Sequence, residues 1–386
     1  MQIIEIIVII LLALLANCLL VQVIYHCFMF IRLAVYKNPT GEPATIQPVS
    51  VIIAARNEYD NLEKHLELIL EQNHPKFEVV VINDCSWDQT ATLLERLQIR
   101  YSHLKVVTLL EQEKYPKGKK FALTLGIKAS EHELLVFTDA DCKPASNMWL
   151  RNMQTRFTPN KHIILGYSPY KKQSGLLNMF IRFETFMTAM SYLSFALLKD
   201  AYMGVGRNLA YRKSLFFNIK GFASHNHLLS GDDDLFVNET ANQQNVAIEI
   251  RKDSFMVSEP KENWASWRKQ KSRHMSTGKY YKGRHQFWLG AFSVSHILFN
   301  LSLLALLPFI FIYSDGIYIH PEQLLYMIVG AYGFRLLVQL CIYYPNMKKL
   351  NDTQLIFLLP VLDIMYSFYL FVFGFGSLFS KPKTWS

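Results

Sequence analysis

The longest apolar runs of the 386-residue chain lie at its two ends. Residues 3–31 contain no Lys or Arg, and three more apolar stretches cover residues 287–313, 323–344 and 354–379. Because a helix of about 20 apolar residues can cross the hydrocarbon core of a bilayer, we predict one N-terminal and about three C-terminal transmembrane helices. A cleaved signal peptide is the alternative for residues 3–31. It fits less well, because no basic segment precedes the run and the run continues to residue 31.

Charged residues interrupt several of the apolar segments. Arg335 and Asp363 fall within the last two predicted spans. Ionisable groups are costly in hydrocarbon, so we expect both side chains to face other helices or a water-filled groove, and a mutual pair is one possibility. Residues 176–198 are also apolar, but Arg182 and Glu184 interrupt them. This pattern favours an interfacial or groove-lining helix over a span.

The middle of the chain alternates between short β-branched runs and helical patterns. Residues 49–54, 77–82, 105–109 and 133–137 are predicted to be strands, and helical patterns separate them. Strands that alternate with helices favour a parallel sheet with right-handed crossovers. The predicted fold class is therefore a doubly wound α/β domain that binds a nucleotide, combined with the predicted transmembrane helices.

The net charge of +9 belongs to residues 32–285, because the segments outside this range hold five basic and five acidic residues. Beside membrane spans, such a surface favours anionic lipid headgroups and nucleotide phosphates over nucleic acid. The positive-inside rule places this middle segment in the cytoplasm and the amino terminus outside. Lys381 and Lys383 conflict mildly with this topology, so an odd number of spans is the alternative. The five cysteines show no zinc spacing and indicate no disulfide framework.

Two carboxylates follow the fourth predicted strand at the point where the strand ends. Asp139 and Asp141 come directly after the apolar residues 134–137. Ligands of open α/β sheets bind at the carboxyl ends of the strands. Two acids at this edge can bind a hard divalent cation through oxygen, and the cation can bind a diphosphate. A solvated acidic turn is the alternative when the two acids are considered alone.

Other strand ends carry polar residues as well. Arg56 and Glu58 follow the first strand, and Asp84 follows the second. Each of them could singly be a helix cap, as could Ser86. Several polar ends that converge on one edge of a sheet are harder to explain by capping. Residues 118–120 (Gly-Lys-Lys) are weaker evidence, because they lack the spacing of a phosphate-binding loop and their lysines can equally face solvent.

Four segments of the middle region, VSVIIAARNE, INDCSWDQT, KGKKFALTLG and FTDADC, carry a family resemblance. Their order and spacing resemble the family 2 glycosyltransferases with a GT-A fold, over roughly residues 49–283. Members that carry membrane spans and make cellulose, hyaluronan or glycolipids are the most similar in layout. The resemblance implies a glycosyltransferase domain (45–260). The apolar and charge patterns add an N-terminal anchor (1–31), an amphipathic interface segment (261–285) and a C-terminal membrane region (286–386).

The resemblance also implies a site for a nucleotide sugar and a metal. The matching positions are Ala54, Arg56 and Glu58 in the nucleotide pocket, Asp84 at the base, Lys119 near the diphosphate and Asp139 at the donor nucleotide. Asp141 would ligate Mg²⁺ or Mn²⁺, with Asp139 as the second carboxylate on the metal side. Residues 206–212 (GRNLAYR) look like the family's Gly-x-Asn-x-Ala-x-Arg stretch. This places Gly206, Asn208 and Arg212 at the donor and acceptor pocket, with ordinary turn residues as the alternative.

Residues 230–235 (SGDDDL) resemble the catalytic acid motif of the family. Counting back from Leu235 puts the catalytic aspartate at Asp232, with Gly231 where Glu is common, so Asp233 is the second candidate. A carboxylate beside the acceptor hydroxyl suits general-base work. Three adjacent carboxylates repel one another, so at least one pKa should rise. A solvated or calcium-binding acidic run is the alternative.

The segment after this motif resembles the Gln-x-x-Arg-Trp signature of the processive members. Gln270 and Arg273 match, and His274 replaces Trp. The Arg273 guanidinium could bind the diphosphate. An imidazole offers a smaller stacking face than an indole, which weakens the case for a long polymer product. Residues 264–284 are basic and aromatic, as in a helix that lies in the membrane interface.

These features predict a membrane-bound inverting glycosyltransferase. It would move a sugar from a nucleotide-diphospho-sugar, in our interpretation a UDP-sugar, to a polysaccharide or lipid-linked acceptor. The expected partners are the donor, a saccharide or lipid acceptor and membrane lipids, in a multi-pass protein of the bacterial inner membrane. One alternative is a nucleotidyltransferase that uses the same metal acids, although it needs no second acid motif. A non-catalytic membrane subunit is the other, and it leaves the ordered acids unexplained.

Overall fold

The fold combines one α/β domain with a group of long apolar helices. The computed structural model describes residues 2–39, 46–110, 118–228, 230–312 and 319–379. The strands of these residues form a mixed seven-stranded sheet and a two-stranded sheet.

The parallel half of the main sheet consists of the four strands that the sequence predicts. They are β1 (Val49–Ala55), β2 (Phe77–Asp84), β3 (Leu104–Leu109) and β4 (Leu134–Phe137). Their order in space is β3-β2-β1-β4, and every neighbouring pair is parallel. The predicted parallel sheet is confirmed over these strands, and their carboxyl ends meet at one edge.

Helices cover both faces of this half. They are α3 (Tyr59–Leu70), α4 (Thr90–Arg100) and α5 (Lys119–Ala129). Val51 of β1 packs in the same core as Leu66 of α3, whereas the next residue, Ile52, packs with Ile127 of α5 on the opposite face. Burial on both faces explains why these strands are continuously apolar and do not alternate with polar residues.

The sheet is mixed beyond β4. The remaining strands are β5 (Cys142–Pro144), β6 (Ile163–Gly166), β7 (Leu209–Arg212), β8 (Val246–Glu249) and β9 (Met256–Ser258). The main sheet continues in the order β4-β7-β6-β8, and β5 pairs with β9. Because β7 runs antiparallel to β4, Leu209 lies opposite Phe137 and Arg212 lies opposite Leu134. The start of β7, and not its end, therefore lies at the edge where β4 ends.

Within the described ranges, four helices are long and apolar enough to cross a membrane, one N-terminal and three C-terminal, as predicted. The first runs from α1 (Gln2–Ile24) through a π-helical turn (Tyr25–Phe30) into α2 (Ile31–Val35). The others include α11 (Gly283–Ile312), α12 (Pro321–Lys349) and α13 (Leu359–Phe379). Lys381 and Lys383 lie outside the described residues, so the topology at that end stays a prediction.

Helix α7 (Leu176–Leu197) lies between the sheet and the apolar helices. Its buried Phe183 shares one hydrophobic core with Ile248 of β8 and Tyr366 of α13. The Nε of Arg182 donates to Asp352 Oδ1 at 3.0 Å, in the segment between α12 and α13. This position agrees with the prediction of a groove-lining helix, and the charges that interrupt the apolar run are used in ion pairs.

The two charged residues of the C-terminal spans form a mutual pair. Arg335 Nη1 lies 2.7 Å from Asp363 Oδ2, and Gln339 Nε2 donates to Asp363 Oδ1 at 2.7 Å. His296 of α11 lies 3.1 Å from Arg335 Nη2 through its Nδ1. All four side chains are buried. A buried pair with this many hydrogen bonds fixes the positions of α11, α12 and α13 relative to one another.

Breaking this pair should destabilise the protein. Arg335→Met leaves the Asp363 carboxylate buried without its cation, and we expect the free energy of unfolding to fall by about 3–5 kcal/mol. Denaturant unfolding in detergent micelles, followed by tryptophan fluorescence, measures the change. The double variant Arg335→Met/Asp363→Leu should recover most of the loss, and Lys348→Met, on an exposed position of α12, should be neutral. Equal stability of the single variant and the wild type would contradict the pairing.

Candidate active site

A small polar cleft lies at the edge of the main sheet where β1, β2 and β4 end and β7 begins. Its lining combines apolar residues with one lysine and three carboxylates: Lys119, Leu123, Phe137, Thr138, Asp139, Gly206, Leu209, Tyr211, Asp232 and Asp233. Asp139 comes from the turn after β4, and Asp232 comes from the loop before α9 (Asp234–Thr240). The cleft therefore brings together motifs that are far apart in the sequence.

Lys119 connects the two acidic sides of the cleft. Its Nζ lies 2.8 Å from Asp139 Oδ1 and 3.2 Å from Asp232 Oδ2. Burial alone would lower the pKa of the ammonium, but Asp139, Asp232 and Asp233 together raise it above its ordinary value. Burial likewise opposes ionisation of Asp139, yet Lys119 holds the pKa of this carboxyl below its usual range. Lys119 and Asp139 are therefore a charged pair near neutral pH.

Asp141 differs from Asp139 in its surroundings. Withdrawal from water and the neighbouring Asp139 raise the pKa of the Asp141 carboxyl. Its Oδ1 accepts a hydrogen bond from Cys142 Sγ at 3.3 Å, and no cation of the described residues lies within ion-pair distance. A divalent cation would stabilise the ionised form of a carboxylate that is withdrawn from water and lies beside another carboxylate. The donor set fits Mg²⁺ or Mn²⁺, which prefer carboxylate oxygen.

The described residues contain no group of three or more His, Cys, Asp or Glu side chains that could enclose a metal ion. A cation at Asp141 and Asp139 would therefore have to complete its coordination with water or with oxygens of a bound molecule. Metal sites of this open kind are typical where the cation binds together with phosphate groups of a substrate.

The three consecutive aspartates have different roles. Asp233 caps α9, because its Oδ1 accepts from Asp234 N at 2.8 Å, and its Oδ2 accepts from Gly206 N at 2.7 Å. The Oδ2 of Asp234 accepts from Tyr281 OH at 2.8 Å and from Thr277 Oγ1. Asp232 contacts Lys119 across the cleft. Of the three aspartates, Asp232 thus accepts the fewest hydrogen bonds from the backbone and from neighbouring hydroxyl groups.

Burial and crowding raise the pKa values of Asp233 and Asp234, and the sequence predicts a rise in at least one of the three carboxylates. Burial, with added repulsion from Asp232 and Asp234, raises the pKa of Asp233 to about 7. Burial also raises the pKa of Asp234, although its hydrogen bonds from Thr277 and Tyr281 oppose the rise. Part of the acidic motif is therefore protonated at neutral pH, which lowers the repulsion within it.

Helix α10 (Trp264–Met275) brings the third motif to the cleft. Trp267 is buried against Tyr369 and Phe373 of α13, and Lys271 forms an ion pair with Glu184 of α7. Arg273 lies close enough to the turn after β4 for its charge to lower the pKa of Asp139, whereas His274 is exposed. The helix is thus anchored on one side to the apolar helices, with Arg273 on the side of the cleft.

The predicted nucleotide residues converge on the same edge. Ala54 lies near the end of β1, Arg56 and Glu58 follow it, and Asp84 ends β2. Burial raises the pKa of Asp84, and Arg56 opposes the rise, which places these two charges near each other. Burial and the carboxylates of Asp141 and Asp139 raise the pKa of Glu58, against a hydrogen bond from Asn61.

Two predicted pocket residues lie elsewhere. Arg212 ends β7, and because that strand is antiparallel, it lies beside Leu134 at the far edge of the sheet, where its Nη2 donates to Thr158 O at 3.1 Å. Asn208 is close to the cleft but fully buried. Its Nδ2 donates to the carbonyls of Tyr167 and Ser254, and its Oδ1 accepts from Trp149 Nε1. The side chain of Asn208 therefore stabilises the turn through hydrogen bonds and does not line the pocket.

Two residues of the site were not assigned from the sequence. Arg207, between Gly206 and Asn208, stacks on the ring of Tyr170 at 4.4 Å, and its charge reaches Asp139 and Asp141. Lys120 neither reaches the cleft nor faces solvent. Its buried Nζ donates to the carbonyls of His225 and Leu228, in the loop that leads to Asp232. Both are basic residues within segments that resemble family motifs, and this position in the sequence could have identified them as candidates.

Comparison with known proteins gives three further findings. Residues 50–219 match the family described as Glycosyl transferase family 2. Glycosyltransferase AglE of Haloferax volcanii is 29% identical over 192 residues, which cover 49% of this chain and 60% of AglE. Poly-beta-1,6-N-acetyl-D-glucosamine synthase of Staphylococcus aureus is 31% identical over 111 residues, 29% of this chain and 26% of the synthase. The chain thus spans less than two thirds of each of these relatives.

The fold is also similar to a solved structure. The mannosyltransferase PcManGT of Pyrobaculum calidifontis, in complex with GDP-Man and Mn²⁺, superimposes with a TM-score of 0.58 and covers 94% of this chain and 99% of its own. At 18% sequence identity this likeness concerns the fold alone. The mixed sheet and its flanking helices are therefore of the GT-A type that the sequence resemblance implies.

The raised pKa of Asp233 predicts a dependence of stability on pH. An unfolded aspartate titrates near an ordinary value of about 4, whereas Asp233 in the fold titrates at about 7. Between these values the folded state binds the extra proton, so its stability should fall as pH rises through about 7. Asp233→Asn, which can still cap α9, should remove this contribution. Unfolding midpoints of both proteins from pH 4 to 9 measure it, and parallel curves would contradict the assignment.

Proposed function

We propose that the protein is an inverting glycosyltransferase, because residues 50–219 match the glycosyl transferase family 2. It moves a sugar from a nucleotide-diphospho-sugar to a hydroxyl group of an acceptor. The observation that carries the proposal is the position of Lys119, which lies within reach of Asp139 on the donor side and Asp232 on the acceptor side. A site for transfer between two substrates needs both sides in one cleft.

Asp232 is the proposed general base. It takes the proton from the acceptor hydroxyl while the hydroxyl oxygen bonds to the anomeric carbon, and the bond from this carbon to the diphosphate oxygen breaks on the opposite face. The nucleoside diphosphate leaves with the bonding electrons. One displacement of this kind inverts the anomeric configuration and needs no covalent intermediate with the enzyme.

The basic residues of the cleft are proposed to bind the leaving group. Lys119 and Arg273 lie near Asp139, where they can donate hydrogen bonds to phosphate oxygens. Asp141, with Asp139 beside it, would hold Mg²⁺ or Mn²⁺, which neutralises developing negative charge when bound. The proposed nucleotide pocket is formed by Ala54, Arg56, Glu58 and Asp84, with Gln270 and His274 near the sugars.

The proposed substrates and membrane location rest on one relative, the apolar helices and one residue of the third motif. The proposed donor is a UDP-sugar. The synthase relative is named for a polymer of N-acetyl-D-glucosamine, which supports a saccharide acceptor. The four apolar helices support a lipid-linked acceptor and a multi-pass protein of the bacterial inner membrane, with the sheet domain in the cytoplasm. His274 in the place of a tryptophan favours the addition of few sugars over a long polymer.

A panel of nucleotide sugars tests the function directly. Purified protein in detergent is incubated with each UDP- and GDP-sugar, Mn²⁺ and lipid or saccharide acceptors, and the products are analysed by mass spectrometry. We expect release of a nucleoside diphosphate and a mass gain of one sugar, or a ladder, on an acceptor. Release of pyrophosphate would instead indicate a nucleotidyltransferase, and no turnover of any donor would favour a non-catalytic subunit.

Replacement of the base should separate catalysis from donor binding. Asp232→Asn should lower kcat by about 100-fold or more, since general-base catalysis contributes roughly 10²–10⁴-fold, and affinity for the nucleoside diphosphate should change little. Asp233→Asn, which leaves the cap of α9 possible, is the matched comparison. A larger loss in Asp233→Asn than in Asp232→Asn would transfer the role of base to Asp233.

Removal of the metal should abolish transfer. We expect EDTA to stop the reaction and Mn²⁺ or Mg²⁺ to restore it, because Asp141 has no ion-pair partner among the described residues and the leaving group needs a cation. Asp141→Asn should weaken Mn²⁺ binding, measured by calorimetry in the presence of the nucleoside diphosphate. Full activity in EDTA would show that Lys119 and the arginines suffice without a metal.

A further inference from the structure

Arg207 follows Gly206, a lining residue of the cleft, and carries a nitrogen that donates to no acceptor of the described residues. Its Nη1 is shut off from solvent and donates to no other described residue. Two buried arginines named above differ from half-buried Arg207, because Arg182 pairs with Asp352 and Arg335 pairs with Asp363. A buried donor without an acceptor is unfavourable in a folded protein, and such groups often mark the place of a bound molecule.

The position of Arg207 is fixed on three sides. Its guanidinium lies 4.4 Å from the centre of the Tyr170 ring, and Tyr170 forms a β-bridge with Ser258. The residue before it, Gly206, donates its N–H to Asp233, and the residue after it, Asn208, is held by three hydrogen bonds. This side chain is therefore preorganised, so that binding a ligand costs little of its conformational freedom.

The charges around Arg207 select an anion as the ligand. Arg207 directly follows Gly206, which lines the cleft together with Asp139, yet its guanidinium forms no ion pair with Asp139 or Asp141. A divalent cation on Asp141 would repel Arg207, and an anionic group bound between the two would be attracted to both. The planar fork of a guanidinium matches the oxygens of a phosphate group.

We propose that Arg207 is a phosphate-binding residue of this cleft, in addition to the lysine and arginine of the recognised motifs. This inference rests on the proposed function for the source of the phosphate. The phosphate belongs either to the diphosphate of the donor or to a phosphate group on a lipid acceptor. Both sources share the chemistry that Arg207 recognises, and binding measurements distinguish them.

The test compares three variants of the full-length protein in detergent. Arg207→Met removes the charge and the fork, and Arg207→Lys keeps the charge without the fork. Arg212→Met is the matched control, because Arg212 lies on the same stretch, stacks on Phe157 at 5.7 Å and lies at the far edge of the sheet. Calorimetry with Mn²⁺ and UDP or GDP measures the donor side, and calorimetry with Mn²⁺ alone serves as a check on folding.

We expect Arg207→Met to bind the nucleoside diphosphate about 10-fold or more weakly, the effect of one lost charge-assisted hydrogen bond. Arg207→Lys should recover only part of the loss, and Arg212→Met should match the wild type. Binding of Mn²⁺ alone should be unchanged or tighter in Arg207→Met, because a positive charge near Asp141 has gone. A merely structural role would weaken Mn²⁺ and nucleotide binding together.

The acceptor side uses a polyprenyl phosphate and the matching polyprenol as probes in mixed micelles. If Arg207→Met binds the polyprenyl phosphate more weakly but binds the polyprenol and the nucleoside diphosphate normally, Arg207 contacts the phosphate of the acceptor. The proposal is overturned if Arg207→Met binds the nucleoside diphosphate and the polyprenyl phosphate as the wild type does. Failure of the wild type to bind or turn over any nucleotide sugar would instead overturn the proposed function.

Discussion

The contact of one lysine with two carboxylates holds the cleft together. Lys119 lies at the first turn of α5, after Gly118, whose φ of +142° is a conformation that glycine adopts readily. From this place its ammonium reaches Asp139 and Asp232 at once. Without this cation, the carboxylates after β4 and before α9 would face each other with little compensation. The neighbouring Lys120 fixes the loop that leads to Asp232, so consecutive lysines position the acid and neutralise it.

A second set of buried ion pairs connects the cleft to the apolar helices. Helix α7 carries Glu184, which pairs with Lys271 of α10 and accepts a hydrogen bond from Tyr369 of α13 at 3.3 Å. Lys271 lies in the turn of helix that also carries Arg273, so the position of Arg273 depends on contacts that reach α13. Buried charges of this kind add little stability of their own, but they are costly to break. They fix one arrangement of the sheet domain on the helices that could span a membrane.

The sequence predicted those parts of the site that local patterns encode. The strands, the acids at their ends and the four apolar helices were found because each depends on residues that are close together in the chain. Arg212 was misplaced because the direction of β7 is set by pairing with β4, which no local pattern records. Asn208 was misjudged because its partners Trp149, Tyr167 and Ser254 come from distant segments. The pairing of Arg335 with Asp363 stayed open for the same reason, and Arg207 was missed because stacking on Tyr170 is a tertiary contact.

We propose that one cleft, joined by Lys119, transfers a sugar in a single displacement with Asp232 as the base. The anomeric configuration of the product is the decisive test of this mechanism. After incubation with the α-linked nucleotide sugar that the protein uses, proton NMR of the newly formed glycosidic bond gives the configuration without reference to any variant. A single displacement at the anomeric carbon should give a β-linked product. An α-linked product would mean two displacements or a different reaction path, and would contradict the role given to Asp232.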